Sequence, residues 1–350
     1  MMDKRKLKIL LLTLLPLTGL VSAGIGAMHI APQEMVAVLA DKAGLHLPVP
    51  YHEGAASVLW LIRLPRVVMG MAVGGGLAIS GAALQGLFRN PLADPGLIGI
   101  SAGASLFAVV VIAGAPALAF LWPRGLLMQH YTLTLLTFLG ASLTAMIVFR
   151  LARSGGRTFI ATLLLAGIAV NALAGALTGL VTYTADNDQL RSITFWMLGS
   201  LGAASWSNVA ALAPFMLIPM VMLPRLAAPL NAFALGEAEA GYMGVNVKRL
   251  KTQIVVLSTM AVGAAVAVSG VIGFIGLIVP HILRTAAGGD HRHLLVNSAL
   301  LGAILLTGAD VVSRTVIAPA ELPIGIVTAI LGTPLFISLL MKQKSALLVT

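Results

Sequence analysis

The chain has 350 residues, of which 59% are apolar and 10% charged, with a mean hydropathy of +0.99 and a formal net charge of +10. Soluble proteins carry roughly a quarter of their residues as charges, so there is too little polar surface here to enclose a water-facing globule. No cysteine is present, which excludes disulfide frameworks, iron–sulfur clusters and thiolate metal sites.

Apolar runs of about 20 residues, the length that crosses a bilayer core, recur from end to end. The runs are continuous rather than alternating, which predicts helices and not a barrel. Ten spans are expected, at 7–28, 66–87, 95–113, 132–151, 159–183, 208–224, 250–269, 271–286, 294–316 and 323–341. The first follows a basic start and precedes the small residues Val21–Ser22–Ala23, in the manner of a secretory signal. Its length and the spans after it favour a retained helix. Between the seventh and eighth spans, "VSGVIGFIGLIVP" has almost no polar punctuation, so that break is the least marked in the sequence.

With the N-terminus inside, 16 of the 22 basic residues fall in inner segments. The six outer ones are Lys42, Arg63, Arg66, Arg124, Arg191 and Arg314. This sorting obeys the positive-inside rule and predicts an even span count with both termini cytoplasmic. The basic excess is therefore a topology signal and a lipid-headgroup contact, not a nucleic-acid patch. Gly70–x3–Gly74, Gly99–x3–Gly103 and Gly263–x3–Ala267 provide the small faces on which membrane helices approach closely.

Two connections exceed a turn. The outer one, about 29–62, contains Pro32, Pro48 and Pro50. The inner one, about 225–249, reads "RLAAPLNAFALGEAEAGYMGVNVKR"; it is too polar to embed and able to form short helices that dock a cytoplasmic partner.

Enzymatic motifs are missing. There is no GxxxxGK[ST] and no HExxH, and "LTGAD" at 306–310 lacks the second glycine of an intramembrane aspartyl protease. No catalytic residue and no metal ligand set is assigned. Asp310 and Arg314 stand four apart on one helix, either as an intrahelical ion pair or with Asp310 orienting Arg314 towards an outside ligand. Carboxylates at mid-depth are scarce, which counts against an ion-gradient-driven secondary carrier. His29, His46, His52, His130, His281, His291 and His293 show no ligand spacing, and solvation is expected for His291 and His293.

Three blocks, "RLPRVVMGMAVGGGLAISGAALQGLFRNPLADPGLIGISAGA", "GFIGLIVPHILR" and "AELPIGIVTAILGTPLFISLL", closely resemble the FecCD-type permeases of ABC importers for cobalamin, haem and ferric siderophores. The likeness runs through nearly the whole chain. It implies an all-α, ten-helix type II ABC importer permease fold, one transmembrane permease domain over 1–350, in a bacterial inner membrane. It also implies a homodimer, two cytoplasmic ATP-binding subunits that hold ATP and Mg, a periplasmic binding protein, and no cofactor in this chain.

Residue roles follow from the same resemblance. Arg63, Arg66 and Arg314 would dock the binding protein through its carboxylates, interfacial snorkelling being the plainer account. Leu235, Gly236, Glu237 and Gly244 would belong to the ATPase coupling loop. The cytoplasmic gate would lie at Ile160, Ala161 and Thr162, where the family's small hydroxyl residues are only partly matched. The segment at 182–206, "TYTADNDQLRSITFWMLGSLGAASW", looks most like haem permeases and is expected to feed a short amphipathic helix. Within it Met197 is a candidate cargo contact and Trp196 an interfacial anchor. Haem is the expected cargo, with ferric siderophore and cobalamin as alternatives.

Overall fold

The computed structural model describes residues 3–26, 28, 30–118, 126–154 and 157–347. His29 and Arg124 fall outside the described residues. Helix α1 (Lys4–Gly24) is followed by α2 (Pro32–Lys42) and α3 (Glu53–Val58), so the expected outer connection is largely helical. A π-turn at Leu59–Arg63 joins α3 to α4 (Leu64–Phe88), giving one continuous helical rod over Gly54–Phe88. A 3-10 turn at Pro95–Ile98 then leads into α5 (Ile100–Leu118) and α6 (Leu126–Leu151).

The two-residue strands β1 (Arg153–Ser154) and β2 (Arg157–Thr158) pair antiparallel ahead of α7 (Ile160–Tyr183). Then come α8 (Asn187–Leu198), α9 (Trp206–Arg225), the short pair α10 (Ala227–Leu235) and α11 (Glu237–Tyr242), and α12 (Val247–Ser269). The chain finishes with α13 (Ile275–Ala287), α14 (His291–Thr315) and α15 (Ile324–Leu347). Among the described residues seven helices are long and apolar enough to span a membrane, and three shorter apolar helices, Ile100–Gly114, Ile275–Ala287 and Ile324–Ser338, stand where the remaining expected spans fall.

The weakly punctuated break is real and lies at 270–274. Gly270 adopts φ 68°, and a Cβ there would collide with the Trp196 carbonyl. Phe274 also has φ 68°, an unusual conformation for a bulky residue. The Ser269 carbonyl released by the break is used, accepting from Ser200 N–H at 2.8 Å, and next to it Ile324 N–H donates to Gly199 O at 3.1 Å. The loop after α8 is thereby fastened both to the break and to the start of α15.

Helix α4 is the central member, packed against α14, α12, α13, α9 and α1. In lipid no hydrophobic drive holds helices together, so close backbone approach must. Gly74 and Gly302 supply it between α4 and α14: a Cβ on either would overlap the other's backbone. Gly81 rests on Gly276 of α13, and Gly103 faces Gly140 between α5 and α6. Gln85, 1% exposed, adds a polar tie. Its amide donates to Leu277 O at 3.1 Å, while its carbonyl accepts from Arg284 Nη1 at 3.2 Å.

Candidate functional site

Functional groups gather at the two ends of the bundle and in a groove on its flank. At the first end stand the three arginines singled out in the sequence. Arg66 is 22 residues from Phe88 on a continuous helix, about 33 Å at 1.5 Å per residue. That matches a hydrocarbon core of roughly 30 Å, so Arg66 lies at its edge. Trp60 and Trp206 meet nearby in a tilted contact with ring centroids 5.5 Å apart, and Trp206 Nε1 donates to Trp60 O. Paired indoles at this level suit a membrane–water boundary.

The arginines are folded inward: Arg63, Arg66 and Arg314 are 4%, 6% and 8% exposed. Arg63 donates to the carbonyls of Ala23, Gly24 and Met28, closing the end of α1. Arg66 forks between two carboxylates. Its Nε donates to Asp310 Oδ1 at 2.9 Å, while Nη1 and Nη2 reach Glu321 Oε1 and Oε2 at 2.8 and 3.0 Å. Arg314 lies 3.4 Å from Asp310 Oδ2 and bonds Ser22, by its carbonyl and by Oγ at 2.7 Å.

Of the two readings of Asp310 and Arg314, the geometry shows the intrahelical pair, with Asp310 shared by Arg66. Arg314 points inward to α1. Glu321, on the loop between α14 and α15, is the outward member of the cluster, its side chain 43% exposed. The hydrogen bond from Arg66 holds its carboxyl below the usual range, against the opposing effect of burial. No sequence reading singled out Glu321, although the block "AELPIG" contains it; only the fold brings it to Arg66, 255 residues away.

At the opposite end the inner connection does form two short helices, α10 and α11, hinged at Gly236 with φ 150°. Leu235, Tyr242 and Met243 are 70%, 91% and 62% exposed, an apolar knob beside Glu237 and Glu239. Gly244 closes α11 in the left-handed conformation, φ 81°. The knob's aromatic and methionine were missed in sequence, since nothing in the pattern separates an exposed Tyr242 from a buried one.

Asn231 of α10 donates to Asp290 Oδ1 at 2.7 Å and accepts from His291 N–H at 3.0 Å. The hydrogen bond that Asn231 donates, with a second from Arg292 N–H, lowers the Asp290 pKa. His291 is buried, which corrects the solvation expected for it, because α10 covers the start of α14; His293 stays exposed. Ile160, Ala161 and Thr162 form the first turn of α7 at this same end, Ala161 and Thr162 exposed.

Between α5, α7 and α8 lies an open groove of about 800 Å³, lined by Ser105, Gly175, Thr178, Thr182, Tyr183 and Met197 among others. The short amphipathic helix expected with the 182–206 segment is α8, Asn187–Leu198. Asp186 caps it by accepting from Gln189 N–H, and Gln189 returns a bond to the Asp186 N–H. Met197 faces the groove, whereas Trp196 packs on the core. Leu165, Ile168, Leu173, Leu177 and Leu180 of α7 are exposed. Exposed apolar side chains are the normal condition of a helix that faces lipid or another subunit.

A profile described as the FecCD transport family matches residues 13–342. The hemin transport system permease HmuU of Yersinia pestis is 45% identical over 336 residues, covering 95% of each chain. The cobalamin import permease BtuC of Halobacterium salinarum is 39% identical, covering 87% of this chain and 79% of its own. The vitamin B12 import permease BtuC of Salmonella paratyphi A is 42% identical, covering 81% and 84%. Among solved structures, a metal-chelate type ABC transporter in an inward-facing conformation superposes with a TM-score of 0.80 at 33% identity, covering 97% and 99% of the chains. With seven membrane-length apolar helices and three shorter ones among its described residues, and with these matches, the chain belongs to the FecCD transport family, as a multi-pass membrane permease of the ABC importer type.

Proposed function

We propose that this chain is the translocating subunit of an ATP-driven importer for haem in a bacterial inner membrane. The observation that carries the cargo is the match to a hemin permease along 95% of both chains. The groove beside Met197 agrees with it, since apolar walls and small side chains suit a flat amphiphile held loosely enough to leave. Cobalamin is the second reading, favoured by the vitamin B12 permeases at 42% identity; ferric siderophores follow.

In this reading two copies of the chain face each other across the pathway. ATP and Mg sit on separate subunits seated over α10 and α11. The end bearing Lys4 and α10 is cytoplasmic, which agrees with the positive-inside sorting. Ile160, Ala161 and Thr162 bound the pathway on that side. A periplasmic binding protein docks at the Arg66–Glu321 end, where a guanidinium fork suits an incoming carboxylate. The chain itself holds no cofactor.

Proteoliposomes containing the chain and its cognate ATP-binding subunit test this. Import should require ATP on the α10–α11 side and ignore an uncoupler. Offered haem, ferric siderophore and cobalamin with their binding proteins, the complex should accelerate ATP hydrolysis with haem. Import without the ATP-binding subunit, abolished by an uncoupler, would overturn the ABC reading; stimulation by cobalamin alone would reassign the cargo.

A further inference from the structure

We infer that Lys251 is the positioning residue that carries movement of the α10–α11 pair to the first turn of α7. The inference rests on the importer reading above and adds a residue to it. Lys251 is the fifth residue of α12, at the start of its second turn, and is 3% exposed. An ammonium has three donors and no acceptor, and all three find partners. Nζ donates to Glu237 Oε1 and Oε2 at 2.8 and 2.7 Å, and to the Thr158 carbonyl at 2.8 Å.

Those partners belong to different machinery. Glu237 opens α11, immediately after the Gly236 hinge. Thr158 is the last residue of the β1–β2 hairpin, two before Ile160. Its neighbour Phe159 donates to Ala152 O at 3.1 Å, so the hairpin is fastened to the end of α6. Phe233 of α10 adds a further hold, its ring 5.8 Å from the same ammonium and 5.8 Å from Arg89 at the end of α4.

The physical argument is one of partner loss. A buried ammonium pays heavily for an unpaired N–H. If α11 shifts on its hinge, the Glu237 carboxylate draws the ammonium with it. Thr158 O then either follows or leaves a cation in a site that water barely reaches. A half-exposed Glu237 can be moved by a docked subunit; a 3% exposed Lys251 cannot be rescued by solvent. The tether therefore favours joint motion of α11 and the α7 entrance.

The native chain has no cysteine, so T162C introduces its sole thiol at the α7 entrance. The experiment uses the reconstituted complex of the full chain with its ATP-binding subunit, a membrane-impermeant maleimide, and import counted per ATP hydrolysed. In T162C alone, the labelling rate should change when ATP is added. In K251M/T162C that change should vanish and import per ATP should fall roughly 5- to 150-fold, the usual range of site-to-site coupling. A K251M complex that keeps both the nucleotide-dependent labelling and the import ratio overturns the assignment. Should K251M fail to assemble, E237A decides it: the same losses support the tether, and unchanged ratios refute it. Failure of the native complex to import with ATP would instead refute the importer reading, so the two outcomes stay separate.

Discussion

Arg66 and Asp310 are 244 positions apart and come from different helices, yet Asp310 Oδ1 receives Arg66 Nε at 2.9 Å and Nη2 at 2.8 Å. Both side chains are nearly closed to solvent, 7% and 2% exposed. This pair pins α4 to α14 where their glycine-mediated contact ends. Asp310 also faces Arg314, so one buried carboxylate is shared by two buried guanidiniums, with Glu321 as the second acid on Arg66.

Replacing Asp310 by Asn should therefore destabilise the fold more than any other single substitution at this end. Breaking a buried ion pair costs about 3–5 kcal/mol, because the surviving charge is left uncompensated. Thermal unfolding in detergent should show a large drop in Tm for D310N. E321Q, at the exposed side of the same arginine, should lose only about 0–1 kcal/mol. Equal losses in the two variants would show that the cluster does not divide in this way.

Glu321 also sets a pH dependence. Its folded pKa is lowered from 4.5, chiefly by the hydrogen bond from Arg66. A depressed carboxylate contributes stability above its unfolded pKa and loses that contribution as pH falls through the folded one. The native chain and E321Q should thus differ at neutral pH, the difference shrinking as pH falls below about 4.5 and disappearing only below the depressed folded pKa. Denaturation profiles run in parallel on both proteins check this. A difference that persists unchanged at acid pH would assign the effect to packing.

The helix contact itself predicts a contrast between glycines. A Cβ at Gly74 would meet the Gly302 carbonyl inside contact distance and Leu306 Cβ at 2.7 Å, and helix backbones cannot give way cheaply. G74A should destabilise by about 1–3 kcal/mol through overpacking. Gly308 lies on the same α14 with nothing within 4 Å of its missing Cβ. G308A should be neutral or gain up to about 1 kcal/mol of helix propensity. Size-exclusion profiles and Tm values of the two variants decide it.

Sequence made the ten spans legible because hydrocarbon thickness dictates their length, and the small-residue faces legible because close approach demands them. Arg63, Arg66 and Arg314 were also visible, as charges at the mouths of apolar runs. Where their guanidiniums point was not. That depends on Ser22, Asp310 and Glu321, residues that no local pattern links to them. Lys251 read as one more inner basic residue, for its burial exists only once α11 and the β1–β2 hairpin close over it. The same holds for His291, which Asn231 and α10 remove from solvent.

The inward arginines alter what a docking experiment should find. R66E would place a third carboxylate beside Asp310 and Glu321, so lost uptake in that variant would report misfolding as readily as lost docking. Glu321 is the cleaner probe. It occupies the Arg66 fork in the manner of an incoming carboxylate, and it must be displaced if a binding protein is to use that fork. E321A should then bind the binding protein more tightly, since no internal partner competes. Partly exposed pairs contribute about 0–1 kcal/mol, which corresponds to a gain of up to roughly fivefold in Kd. The gain should appear mainly in the dissociation rate and shrink at high salt, as screening weakens the exchanged pair. Surface plasmon resonance on reconstituted nanodiscs measures it directly. Weaker binding by E321A would mean that Glu321 itself meets the partner, and the fork would be structural alone.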